Sequence, residues 1–318
     1  MHSLLREPLP AGADIAISAR ESVWRARAVD AVTRFIAEPA SARPLAAMRI
    51  GLAAVLLFQA ASIAPHLFVF FGSRGIVQAP ISNAIVAGSL PRVAYVADLL
   101  APLVHDERVV LLGCFGLYLL ALHLLLIGWK TRIVAIVAWL LQLSLKTSGT
   151  ASAYGVFEFA TIGLFYCVLM PVSEAMSVDA GSLRADRSSA AARLGLRVVQ
   201  IHLCIVYLTS GIEKIRGEQW RNGEAIWRAV LRPRFQSMDL SWLAFYPTLP
   251  LLACWGTLAV ELGYAFFIWP QRTRRITVLS AMAMHAGIAA VLGLWSFSGV
   301  MIALNVAAFL VPAVTRSR

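Results

Sequence analysis

Apolar runs recur about eight times along this chain, from about residue 45 to about residue 311, with only short polar segments between them. A backbone immersed in lipid must satisfy its own polar groups, and for runs of this kind that leaves helices. The expected fold is therefore all-α: a polytopic integral membrane bundle of about eight transmembrane helices, with interfacial helices beside them. Composition agrees, because hydrophobic residues fill 59% of 318 positions and charged residues only 14%. Mean hydropathy is +0.73, far above the range of a soluble domain of this length.

The net charge of +11 would suit a nucleic-acid-binding protein if it lay on one soluble domain. Here the arginines lie in the segments between apolar runs and read as topology signals, so membrane lipid and not nucleic acid is the expected partner. With an even number of spans and a cytoplasmic N-terminus, the N-terminal segment, GWKTR, the linker 171–193, QRTRR and the tail TRSR all fall on the cytoplasmic side. That places the chain in the inner (plasma) membrane with both termini cytoplasmic. Three parts follow: a cytoplasmic amphipathic segment over 1–43, with Trp24, Val29, Val32, Phe35 and Ile36 on its apolar side, a membrane domain over 44–313, and a basic tail over 314–318. The external stretch 214–248 carries several arginines, which are expected to be held by protein or to meet an acidic partner. Cys114, Cys167, Cys204 and Cys254 each sit in an apolar run without CxxC spacing or a histidine cluster, so neither a disulfide framework nor a metal site is expected.

One apolar run ends in a lysine that no span requires. Arg197, Gln200, Tyr207, Ser210 and Lys214 recur at steps of three, four and seven and so share a helix face. Ionisable groups at membrane depth are costly and by default mark function, whereas a lysine near a span end can also snorkel to the interface. A second stripe, Thr257, Glu261 and Tyr264, occupies a later run. Arg49, near the start of the first run, is either an interfacial anchor or the partner of a carboxylate. Glu261 is expected to pair with Arg49 or Lys214 as a structural ion pair. Tyr154, Tyr207 and Ser210 are expected to line a pocket with Trp220 at its mouth, a position that equally suits a residue of the aromatic belt.

Five stretches, in order, carry a family likeness: MRIGLAAVLLF with FFGSRGIV; GWKTR with LKTS; MSVDA; YLTSGIEKIRGEQWRNGEAI; and ELGYAFFIWPQRTRR with MHAGIAAVLGLWSFSGVMI. Together they resemble the horizontally transferred transmembrane (HTTM) domain, shared by bacterial membrane proteins and the vitamin K-dependent gamma-glutamyl carboxylase. The resemblance implies that Lys214, closing GIEK at the family's Gly-x-x-Lys, is a catalytic base. It makes His285 a second catalytic residue that orients a group or lends a hydrogen bond, and it implies a reduced, vitamin K-like quinone as cofactor, with no metal. Desolvation disfavours the charged form of a lysine in an apolar pocket, which is why that residue type suits base chemistry there. The enzyme so implied is a bacterial, carboxylase-like membrane protein acting on a lipid-soluble quinone-like or peptide substrate, including a secreted peptide or protein, in an outward-facing pocket.

The likeness has gaps. Lys-Thr-Ser is followed by GTASAYG, without the Asn and His found there in animal carboxylases, and the chain stops a few residues after the last run. The resemblance therefore carries a lysine-centred pocket further than it carries carboxylation. An alternative from another class is a non-enzymatic membrane accessory protein for maturation, export or immunity of a secreted peptide, which needs the fold but not the base. A transporter would bring paired broken helices and an internal repeat, and the sequence has neither.

Overall fold

The computed structural model describes residues 11–76, 84, 90–149, 155–232 and 238–313, with side chains from residue 23 onward. The amphipathic segment is helix α1 (Ala11–Ala37). Helices stand at all the apolar runs: α2 (Arg43–Ile63), which continues through a 3-10 turn into α3 (Leu67–Phe71), then α5 (Glu107–Ile127), α6 (Thr131–Ser148), α7 (Gly155–Leu169), α8 (Ala190–Arg216), α11 (Thr248–Phe267), α12 (Gln271–Leu292) and α13 (Trp295–Phe309). Short helices fill the connections: α4 (Val93–Leu100), α9 (Glu218–Arg221) and α10 (Glu224–Val230). Local signals set several ends. The Asp106 carboxylate caps α5 at Arg108 N–H, Gly128 ends it at φ 73°, and Ser189 caps α8 at Ala192 N–H.

Five of these segments are long and apolar enough to cross a membrane: Arg43–Phe71, Glu107–Ile127, Ala190–Arg216, Thr248–Phe267 and Gln271–Leu292. The described residues of helices α7 and α13, 15 in each, reach about 22 Å at about 1.5 Å per residue, short of a hydrocarbon core of about 30 Å. Their length suits their position. Helix α13 packs against α2, α7, α8 and α12, so protein covers much of it. The α2–α13 crossing is close because small residues meet there: a Cβ on Gly51 would lie 2.8 Å from Ala303 Cβ, and one on Gly299 would lie 3.1 Å from Val55. Glycine or alanine at such four-residue steps lets membrane helices approach backbone to backbone.

The polar linker does more than separate two groups of spans. It folds into β2 (Ala175–Ser177) and β3 (Ser182–Asp186), an antiparallel pair, and β4 (Ser188–Ser189), which pairs with β1 (Ala40–Ser41) ahead of α2. Ser41 N–H also reaches Ala313 O at 3.0 Å, so the start of the bundle, its middle and its end are tied together. The linker residues Val178 and Asp179 bond back to Ile127 O and Gly128 O in the GWKTR turn. One end of the bundle thus gathers the segments read from the sequence as basic and same-sided.

Arg49 organises that end. It is fully buried, and its guanidinium donates to Val172 O at 3.2 Å, Leu126 O at 2.8 Å and Met176 O at 2.6 Å, and also to Leu125 O. Leu125 and Leu126 lie in the last turn of α5, whose carbonyls have no partner within the helix, and a cation there also meets the negative end of the helix dipole. The expected Arg49–Glu261 ion pair does not form. Arg49 sits in the second turn of α2 and is saturated by carbonyls, while Glu261 is engaged by a different cation.

Asp179 performs the matching task at the start of α6, accepting from Lys130 N–H at 2.8 Å, Thr131 N–H at 2.7 Å and the Thr131 hydroxyl at 2.7 Å. Desolvation pushes its carboxyl up, but the hydrogen bonds from Thr131 and Lys130 and the nearby Arg49 charge outweigh it and hold the group below its ordinary value.

Arg49→Met is expected to lose at least about 3 kcal/mol in denaturant unfolding of the detergent-solubilised protein, since it leaves several buried carbonyls without donors. Arg49→Lys should not restore it, because one ammonium cannot span that fork. Asp179→Asn should cost about 1 kcal/mol at pH 7, because an amide keeps one of the two acceptor oxygens and none of the charge that hold Lys130 and Thr131. Because the folded carboxyl is depressed, its contribution is complete above the unfolded value of about 3.9 and disappears as pH falls through the folded value. Unfolding curves of the two proteins should therefore converge in acid and stay apart at neutral pH.

Candidate functional site

At the opposite end of α8 the polar stripe meets the stripe of α11. Lys214 Nζ donates to both Glu261 oxygens at 2.8 Å and to Ser210 Oγ at 2.5 Å. Glu261 is buried at 6% exposure, whereas 23% of the Lys214 side chain is exposed, so the pair has one dry partner and one near solvent. Gly211 makes the approach possible. A Cβ there would lie 3.0 Å from Leu262 and 3.1 Å from Glu261 Cβ, so even an alanine would require the facing side of α11 to give by a few tenths of an ångström. The Gly-x-x-Lys spacing therefore has a geometric reason: the glycine one turn before the lysine admits the helix that carries its counter-ion. Trp220, on α9, places its ring centroid 5.3 Å from the ammonium.

Two turns deeper along α8, about 10 Å at about 1.5 Å per residue, Tyr207 enters a second cluster. Asn305 Nδ2 donates to the Tyr207 hydroxyl at 2.9 Å, and that hydroxyl lies 2.9 Å from His285 Nε2. The second imidazole nitrogen of His285 is Nδ1. That nitrogen is buried and has no hydrogen-bond partner among the described residues. Tyr264 donates to Asn305 Oδ1 at 2.6 Å, and Asn305 also donates to Met301 O at 2.8 Å, which fixes the amide. The Tyr207 and Tyr264 rings lie 4.1 Å apart at 31°. Four helices, α8, α11, α12 and α13, each contribute a side chain.

Lys214, Ser210, Glu261 and Trp220 thus come together at one point, and Tyr207 and His285 at a second beneath it. Arg49 lies elsewhere, and Tyr154 is outside the described residues. Thr257 bonds to Ala253 O of its own helix at 2.9 Å and belongs to neither cluster. Asn305 was missed in the sequence, although an Asn inside the run WSFSGVMIALNVAAF is the kind of isolated polar residue that signals a buried partner. Beyond Lys214, Gly217, Glu218, Gln219, Asn222, Glu224 and Arg228 line a cleft of about 380 Å³. Arg228 is one arginine of this segment held by protein, paired with Glu224 at 2.6 Å. Among the described residues no group of His, Cys, Asp or Glu is arranged to hold a metal ion.

A helical membrane bundle with a half-buried ion pair where the polar stripes of two of its helices meet is the class of protein these features define. The HTTM domain profile matches residues 98–312, and the chain belongs to that family. The match takes in every residue of both clusters, and α2, which precedes it, packs within the same bundle. A Bacillus subtilis (strain 168) protein described as uncharacterized protein YitO is 25% identical over 195 residues, 57% of this chain and 61% of its own length. The chain therefore spans about three fifths of this curated relative. No solved structure matches it.

A double-mutant cycle tests the ion pair. Lys214→Met and Glu261→Met should each cost about 2 to 3 kcal/mol in detergent, because each strands a partly buried charge, while the double variant should cost less than their sum by more than about 1 kcal/mol. Strict additivity would mean that the two side chains do not interact.

Proposed function

We propose that this HTTM protein is a membrane enzyme in which Lys214 accepts a proton from a lipid-soluble quinone-like or peptide substrate that reaches it through the outer cleft. The observation that carries the reading is the Lys214–Glu261–Ser210 constellation. An ion pair at a helix crossing, kept together by a glycine and bordered by a second polar cluster, costs more desolvation than simple helix packing requires. An ammonium has no lone pair, so Lys214 works as a base only after its proton passes to Glu261 or to water. Glu261, held between Lys214 and apolar neighbours, is the nearest group to receive it. Ser210 keeps the amine oriented throughout.

The cofactor proposed for this site is a reduced quinone. As an ammonium Lys214 turns its N–H bonds to Ser210 and Glu261, and once deprotonated it would accept a hydrogen bond from a ring hydroxyl, with the flat face of Trp220 beside it. Such a group would supply the redox chemistry when bound. The chain's own contribution is to bind the ring, orient the hydroxyl and move its proton at Lys214 Nζ. His285 and Tyr207 act by positioning α8 and α12 beneath the site. On this reading the membrane is the inner (plasma) membrane, the basic end faces the cytoplasm, and Lys214 faces outward, in line with the positive-inside rule.

A second reading has its own support. Both Glu261 oxygens contact Lys214, which is what a purely structural clamp between α8 and α11 would do, and an accessory protein for a secreted peptide needs only that. Lys214→Arg separates the two, since Arg keeps the charge and cannot act as a base. The purified protein would be given reduced naphthoquinone, oxygen, carbon dioxide and a glutamyl peptide, with hydroquinone consumption followed alongside thermal unfolding. The enzyme reading expects turnover that falls by about 100-fold or more in Lys214→Arg with little change in unfolding temperature. Equal turnover in both proteins, or none in the wild type, favours the clamp.

A further inference from the structure

The polar stripe of α8 begins with Arg197, which neither cluster uses. Its Nε donates to Phe35 O at 3.0 Å and its Nη1 to Gln200 Oε1 at 2.8 Å. The guanidinium lies 3.9 Å over the Phe35 ring and 5.9 Å from that of Trp269. One turn earlier on α8, Arg193 Nε donates to Glu38 O at 2.8 Å. From the first turn of α12, Arg274 donates to two carbonyls of the α11–α12 turn, Ile268 O at 3.2 Å and Trp269 O at 2.8 Å. Three half-buried guanidiniums therefore converge where α1, α8 and the α11–α12 hairpin meet.

Their charge is only partly answered. The carbonyls they contact end α1 and α11, and a helix C-terminus supplies about half a negative charge. No carboxylate among the described residues forms an ion pair with any of the three. Each contacts those carbonyls through one or two nitrogens, and among the described residues each has at least one guanidinium nitrogen with no hydrogen bond. Helix α12 starts beside them at Pro270 with no side-chain cap, so its first N–H groups add further positive potential. Phe35 and Trp269 wall the cluster with rings of the type that sit at head-group depth. The site thus offers forked N–H donors, surplus positive charge and an aromatic edge at the basic end of the bundle.

We propose that Arg193, Arg197 and Arg274 bind the phosphate of an anionic phospholipid head group, and that this lipid fastens α1 to α8 and to the α11–α12 hairpin. Guanidinium forks match phosphate oxygens, and basic recesses between membrane helices are suited to head groups. Because an inorganic phosphate would meet the same donors, the acyl chains must distinguish the two sources.

The full chain in neutral detergent would be titrated with phosphatidylglycerol or phosphatidylcholine and binding read by native mass spectrometry, with inorganic phosphate as competitor. Preference for phosphatidylglycerol is expected. The double variant Arg193→Gln/Arg274→Gln should weaken it about 30-fold, at about fivefold per neutralised charge, and leave phosphatidylcholine binding unchanged. Equal binding of the two lipids, undiminished phosphatidylglycerol binding by the double variant, or displacement of the lipid by inorganic phosphate each overturns the proposal. Should the double variant fail to fold, Arg193→Gln alone is read, with a fivefold loss expected and no loss counting against the site.

Discussion

Arg49 shows the constraint on which the bundle rests: a charge removed from water must be answered by fixed dipoles. Its guanidinium touches the last turn of α5, the segment after α7 and strand β2, so one side chain ties together three separate parts of the chain. Carbonyls that would otherwise be orphaned at a helix end become its ligands. The β-ribbons are then a consequence of geometry. The linker must curl back to bring Val172 and Met176 to Arg49 and to bring Asp179 to the start of α6. Gly128 belongs to the same arrangement, because a Cβ there would sit 3.0 Å from Arg49 Nη1.

From this fastened end, α2 and α13 run together through the centre on their small residues. Their closeness determines where Asn305 lies, and through Asn305 where Tyr207 and Tyr264 lie. Helix α8 connects the regions. It carries Arg193 and Arg197 near its start, Tyr207 in the middle and Lys214 in its last turn. The second cluster therefore takes its position partly from packing at α2 and α13, and a change at Gly51 or Gly299 would reach it by moving α13.

Much of the architecture was legible in the sequence because lipid permits so few structures. Apolar length located the helices, and the distribution of arginine located the shared basic end. The Lys214 face was legible from its period, and Glu261 from its own. The sequence could not choose between Arg49 and Lys214 as the partner of Glu261, since that depends on how α11 sits against α8, which Gly211 decides through space and not through charge. The ribbon was hidden for a similar reason. Segments such as AMS and SS carry no strand pattern of their own and pair only because α2, α7 and α8 bring them side by side. Asn305 escaped because a single amide in an apolar run shows no period, although its cost in lipid was itself a signal.

The two cations, Arg49 and Lys214, invite the same question and receive different answers. Arg49 has no exposure, rests on rigid backbone and cannot lose its proton, so it can only hold structure. Lys214 rests on side chains alone. The Glu261 carboxylate and the Ser210 hydroxyl can both accept or yield a proton, and part of the lysine side chain is exposed. A chain that needed only a clamp between α8 and α11 could have used backbone carbonyls there as it does around Arg49. A carboxylate beside an amine, one dry and one near solvent, contrasts with the rigid backbone cage of Arg49, and this contrast is the physical basis of the proposal that Lys214 is more than an anchor.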